Sequence, residues 1–228
     1  MAQLGSGPIY CETMYWTGNT FPAEPVNTVS NGVIVLFGLA AAYIVAKRAP
    51  RAYDLYALSA LIAATGIGSG LWHGLREPWA LAFDVTPGLF FLFALMFCWA
   101  RRLWSYVGAA IFLLAFFLAF QYSREYWGFV QRWVALAPVV IAAAGVLIAQ
   151  TYVYSKRAAF GGTIALSSAL VALFFRTIDL NACAYIPFGT HFLWHIFLSA
   201  SSFVGVVTLT ELKARSSKAA TPATEPAE

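Results

Sequence analysis

Thr190 to Thr210 reads THFLWHIFLSASSFVGVVTLT. No Asp, Glu, Lys or Arg interrupts it, and at 1.5 Å of rise per residue about 20 residues cross the roughly 30 Å hydrocarbon core of a bilayer. The stretch therefore reads as a transmembrane helix. It also carries two of the chain's three histidines, His191 and His195.

The same reading applied outward gives seven apolar spans, at about 28–46, 55–75, 82–100, 104–121, 131–152, 160–177 and 190–210. Composition agrees: 61% of residues are hydrophobic, 11% are charged, and the mean hydropathy is +0.71. These values exclude an ordinary soluble domain and specify an all-α integral membrane protein, a bundle of seven transmembrane helices.

Lys and Arg gather on the cytoplasmic side of membrane proteins. Lys47, Arg48 and Arg51 follow the first span, Arg101 and Arg102 the third, Lys156 and Arg157 the fifth, and Lys213, Arg215 and Lys218 the seventh. Only Arg76, Arg124, Arg132 and Arg176 fall on the other side, which places the N-terminus outside and the C-terminus in the cytosol. The net charge of +4 then reflects topological anchors and needs no nucleic-acid partner.

Three segments are expected: an extracytoplasmic N-terminal segment (1–27), the seven-helix membrane domain (28–210) and a cytosolic tail (211–228). The tail ends in SSKAATPATEPAE, Ser216 to Glu228, which has almost no core-forming residue and reads as disordered. No basic n-region followed by an apolar h-region opens the chain, so no cleavable signal peptide is expected. Trp16, Trp72, Trp79, Trp104, Trp127, Trp133 and Trp194 fall mostly near span ends, as in an interfacial aromatic belt. Trp72 and Trp194, each beside a histidine, could also line a lipid pocket.

His191 and His195, four residues apart, project from one helical face. That spacing suits two ligands of one Zn²⁺, and His73, in GIGSGLWHG, is the only histidine left to supply a third nitrogen. With the predicted topology, all three lie at one membrane depth. Ionisable groups at such depth face the bundle interior and mark function, and three nitrogen ligands with an open fourth position describe a catalytic zinc. Taken singly, each histidine also fits a packing role with one hydrogen-bonded nitrogen.

Ser69 stands one turn before His73, where its hydroxyl could serve a developing oxyanion. Asp84, at the start of the third span, could act as general base toward a zinc-activated water. The bland alternatives are helix packing for Ser69 and an N-cap for Asp84. Together the five residues describe hydrolysis of an amide or ester.

Other classes fit less of the pattern. A bis-His haem cytochrome would leave one histidine, Ser69 and Asp84 without roles. A retinal photoreceptor needs a lysine within the last span, and Lys213 at its end is the first one there. A receptor or transporter would hold the zinc structurally, with Asp84 as a fourth ligand. Arg176 and Asp179 are spaced to pair as i,i+3 neighbours, and Asn27, Thr28, Ser30 and Asn31 could cap the first span, bond to the seventh or help hold the metal helices in place. Cys11 and Cys183 both fall on the outer side and could form one bridge, whereas Cys98 reads as a small buried hydrophobe.

Five stretches in this order, YCE (Tyr10–Glu12), EPVNTVSN (Glu24–Asn31), GIGSGLWH (Gly66–His73) followed by Asp84, FRTID (175–179) with Cys183, and HFLWH (His191–His195), resemble the alkaline ceramidases. These are seven-helix membrane zinc hydrolases related to the adiponectin receptors. The resemblance implies a zinc amidase that cleaves the N-acyl bond of a ceramide-like lipid to a sphingoid base and a fatty acid. It implies His73, His191 and His195 as zinc ligands, Ser69 as oxyanion partner, Asp84 as water activator, and a Cys11–Cys183 disulfide.

It also implies a calcium ion near the N-terminus, with Glu12 and Glu24 among its ligands. Two of the family's ligand positions correspond here to Ile9 and Met14, whose side chains cannot coordinate Ca²⁺. The alternative is that both glutamates are solvated or cap helices.

Overall fold

The computed structural model describes residues 7–18, 20–126 and 132–219. A short helix α1 (Cys11–Tyr15) precedes seven long ones: α2 (Pro25–Arg48), α3 (Tyr53–Leu75), α4 (Pro78–Leu103), α5 (Tyr106–Tyr126), α6 (Arg132–Tyr154), α7 (Lys156–Ala182) and α8 (His191–Ala219). The seven long helices are long and apolar enough to cross a membrane. Each coincides with one expected span, while the five-residue α1 lacks the length for a periodic signal and was not anticipated.

Helix ends follow local chemistry. Pro25 and Pro78 stand in the first turns of α2 and α4, where the missing N–H costs no hydrogen bond. The early start of α4 corrects one expectation: Asp84 lies inside the helix, past its first turn, and is no N-cap. The helix α8 is described to Ala219, into the segment expected as a tail; residues 220–228, like Trp127, lie outside the described residues.

α2 packs between α3 and α8, α7 lies against α8, and α3 against α4, with α5 and α6 closing the other side. Large apolar side chains such as Val29, Leu36, Phe90 and Ile111 point outward, as expected for helices solvated by lipid. The close approach of α3 to α4 depends on Gly68, because a Cβ there would collide with the Phe83 carbonyl. That contact sets Asp84 beside the turn that carries Ser69.

At the basic end of the bundle Arg48 pairs with Glu211 at 2.6 Å and Arg102 with Asp54 at 2.8 Å. At the opposite end a disulfide joins Cys11 to Cys183. Beside it the buried Asp179 carboxylate accepts from the backbone N–H groups of Cys11 (3.0 Å), Thr190 (2.7 Å) and His191 (2.9 Å). A side chain of α7 thus caps the start of α8, whose first N–H groups have no intrahelical partner. Gly189, at φ +66°, lets the connection approach Asp179 and Cys11, a space that any side chain would invade.

Asp179→Asn should lower stability by about 3 kcal/mol, since hydrogen bonds to a charged acceptor contribute about 1.5–3 kcal/mol each and the amide replaces them only partly. Thermal unfolding in detergent checks this. Combined with Cys11→Ser, the losses should sum to less than additivity predicts, because both groups fasten the same segment.

Candidate metal centre

The last turn of α3 delivers His73, and the first two turns of α8 deliver His191 and His195. All three imidazoles are buried, and one ligating nitrogen from each lies within 4.8 Å of the other two. The ring centroids are 5.1 Å (His73–His191), 5.0 Å (His73–His195) and 4.7 Å (His191–His195) apart. Residues separated by more than a hundred positions therefore meet at one end of the bundle.

Their outer nitrogens show how the rings are held. The Ser30 hydroxyl donates to the Asn27 carbonyl at 2.8 Å, so its oxygen accepts from His195 Nδ1 at 2.7 Å. That tautomer leaves His195 Nε2 as a lone-pair donor. His73 Nδ1 is bonded to Glu24 Oε2, which presents its own Nε2 in the same way. His191 stacks on the Tyr10 ring at 3.9 Å, and its Nδ1 is buried with no hydrogen-bond partner. An unpartnered buried nitrogen beside two oriented imidazoles is the donor set a divalent zinc-type ion requires. The residues present fit such an ion.

Glu24 is buried at the N-terminal end of α2, just ahead of Pro25. Burial alone would raise its pKa, but the hydrogen bond with His73 and the charge of Arg76 outweigh it and hold the carboxyl below its ordinary value. The backbone on either side is tied to α3, with Ala23 N–H donating to the Gly74 carbonyl and Glu24 N–H to the His73 carbonyl, each at 3.0 Å. Glu12 accepts from the N–H groups of Val26 (2.9 Å) and Asn27 (2.8 Å), an N-terminal cap of α2 supplied from α1. Burial nevertheless raises its carboxyl above the usual value.

Ser69 and Asp84 face each other at one end of a cavity of about 290 Å³ that runs down the bundle between α3, α4, α6, α7 and α8. Tyr10, Arg176, Trp194 and His195 complete the polar end, and Leu92, Met96, Trp99 and Leu136 line its depth. An apolar cleft with a few polar groups converging at one end is the usual form of a site for an amphipathic ligand.

Several residues take places that the sequence left open. Trp194 lines the cavity, whereas Trp72 does not: it is fully buried beneath the Arg76 guanidinium, 4.1 Å from its ring, and belongs to neither the belt nor the pocket. Arg76, counted in the sequence among the four basic residues of the outer side, is itself buried and ion-paired with Glu24 at 3.1 Å. Ser30, one of four polar residues expected to cap the first span or bond to the seventh, does bond to His195 of α8, whereas nothing in the sequence gives Tyr10 a role, and the neighbours of neither carry a finer signal. Ser30 stands within a polar helix start, and an aromatic before a short helix has no periodic signature.

A family model described as Ceramidase matches residues 6–225. A search of curated proteins finds no match to the chain.

Ser30→Ala should weaken binding of a divalent ion about 10–100-fold, the usual cost of losing an outer hydrogen bond to a ligating histidine. Competition with a chromophoric chelator on the purified protein measures it. Ser168→Ala, which removes a hydroxyl bonded to the Phe197 carbonyl elsewhere on α7, should leave the affinity unchanged.

Proposed function

The chain belongs to the ceramidase family, and from that membership we propose that it is a zinc-dependent membrane amidohydrolase acting on a ceramide-like lipid. Water would cleave the N-acyl amide, releasing a sphingoid base and a fatty acid. The observation that carries the reading is a cluster of three buried imidazoles, one of which, His195, lines the polar end of an apolar cavity together with the Ser69 hydroxyl and the Asp84 carboxylate.

Each part has a task in that reaction. The cavity takes up an aliphatic chain and leaves the amide at its polar end, so binding along the chain fixes the reacting group. His73, His191 and His195 would hold the zinc ion, which would supply Lewis acidity and lower the pKa of water toward about 7. Ser69 donates to the carbonyl oxygen as negative charge develops there. Asp84 takes the proton that water sheds on adding to the carbonyl carbon, and returns it to the nitrogen as the carbon–nitrogen bond breaks. Glu24 and Ser30 hold His73 and His195 in one tautomer, so the ligands need no rearrangement during turnover.

The excess of Lys and Arg at the opposite end of the bundle supports an outward-facing centre, with the N-terminus outside and the C-terminus cytosolic. A bis-His haem is disfavoured by the same convergence, since a macrocycle cannot lie between rings whose centroids are 5.0 Å apart with His191 alongside. A structural site for a receptor or transporter would need Asp84 as fourth ligand; its position across from Ser69 in the cavity favours the basic role.

Metal content and hydrolysis of a fluorescent ceramide should be followed together in detergent-purified protein. The unmodified chain should hold about one zinc per chain and release fatty acid, and His191→Ala should lose both. Asp84→Asn should keep the metal while turnover falls about 10²–10⁴-fold. Zinc without turnover on any N-acyl lipid would favour the structural reading, and a haem absorption band would sink the hydrolase.

A further inference from the structure

The calcium ion implied by resemblance does not fit the residues present. A calcium site draws together six to eight oxygens. Here both oxygens of Glu12 accept from the first N–H groups of α2. Those of Glu24 are taken as well: Oε1 by the Thr13 hydroxyl at 2.5 Å and Arg76 Nη1 at 3.1 Å, Oε2 by Asn27 Nδ2 at 3.3 Å and His73 Nδ1. Ile9 and Met14 bring no side-chain oxygen, and both are exposed. A cation already stands at this point.

That cation is the Arg76 guanidinium. It is buried, sits 4.1 Å over the Trp72 ring, donates from Nη2 to the Pro8 carbonyl at 2.8 Å and pairs through Nη1 with Glu24. One group thus gathers a carbonyl of the N-terminal segment and a carboxylate from the start of α2, the kind of oxygens that a calcium ion would otherwise collect. A divalent ion brought beside it would meet like charge in a low-dielectric site.

The backbone points the same way. Arg76 ends α3 in the left-handed region, at φ 56° and ψ 27°, where glycine or asparagine is the usual residue. An arginine keeps that unfavourable conformation where its side-chain contacts hold it there. Because Gly74 and His73 give their carbonyls to Ala23 and Glu24, the turn fixing Arg76 also fixes the strap that crosses the metal centre.

We propose that Arg76 is a resident cation standing in for calcium. It locks the N-terminal segment over the metal centre and, through Glu24, positions His73, so that this chain folds and binds its catalytic metal without calcium. Arg76 is a positioning residue: it touches neither the cavity nor the imidazoles. The His73 half of the proposal rests on the metal-centre reading above, and the calcium half does not.

Calcium binding is measured first, on unmodified detergent-purified protein in calcium-depleted buffer without zinc or substrate, using terbium luminescence as the probe and thermal unfolding as the second readout. The expected result is no saturable terbium site, and an unfolding midpoint that does not move when calcium is added to millimolar level. Saturable binding near one ion per chain that raises the midpoint would overturn the substitution.

Zinc affinity is then compared by chelator competition for Arg76→Gln and Arg76→Lys. Arg76→Gln should weaken zinc about tenfold or more, and Arg76→Lys, which keeps the charge, should recover part of the loss. Wild-type affinity in Arg76→Gln would overturn the coupling to His73. Should Arg76→Gln not yield folded protein, the calcium titration of the unmodified chain still decides whether the guanidinium has taken that ion's place. Zinc uptake absent even from the unmodified chain would sink the hydrolase reading and the His73 half with it, and leave the calcium result standing.

Discussion

A carboxylate buried among helices that face lipid has no water to turn to, so every hydrogen bond it accepts must come from the protein. Two such groups organise one end of this bundle. Asp179 collects backbone N–H groups from the N-terminal segment and from the start of α8, and Glu24 collects hydrogen bonds from Thr13, Asn27 and His73 and an ion pair with Arg76. Both join pieces of chain far apart in sequence, and both stand beside the histidines. The metal centre owes its geometry to the need of these two anions for donors.

Hydrophobicity and spacing made much of this visible in advance. The seven spans follow from the length of apolar runs, and the histidine trio follows from scarcity: with so few imidazoles available, helical spacing and common depth leave one grouping. Helix starts were less accessible. The cap offered as the alternative role of Asp84 rests on how common Asp is at helix starts, but Pro78 can begin a helix a turn and a half earlier and the intervening WALAF continues it. Arg76 shows the other limit. A lone arginine after WHGL has the composition of a loop anchor, and only the fold reveals that a tryptophan lies under it and a carboxylate beside it.

The polar network around the histidines also illustrates how a hydrophobic bundle tolerates charge. Glu24 and Arg76 are each fully desolvated, and separately either would be costly to bury. As a pair they form a neutral unit that still offers a directional acceptor to His73. The disulfide and the Asp179 contacts restrain the same strap from its other end, so Tyr10 is held over His191 as part of the wall of the cavity.

The division of the three histidines between α3 and α8 carries a consequence for biosynthesis. Chains are made from the N-terminus at about 5–20 residues per second, so His73 enters the bilayer seconds before His191 and His195 exist. For that interval one buried imidazole waits with Glu24 as its partner, and no three-nitrogen site is available to any ion. Any ion that the three histidines hold would therefore be acquired by the finished bundle, after the last helix has docked. A chain truncated before that helix would carry one of the three imidazoles and lack the other two.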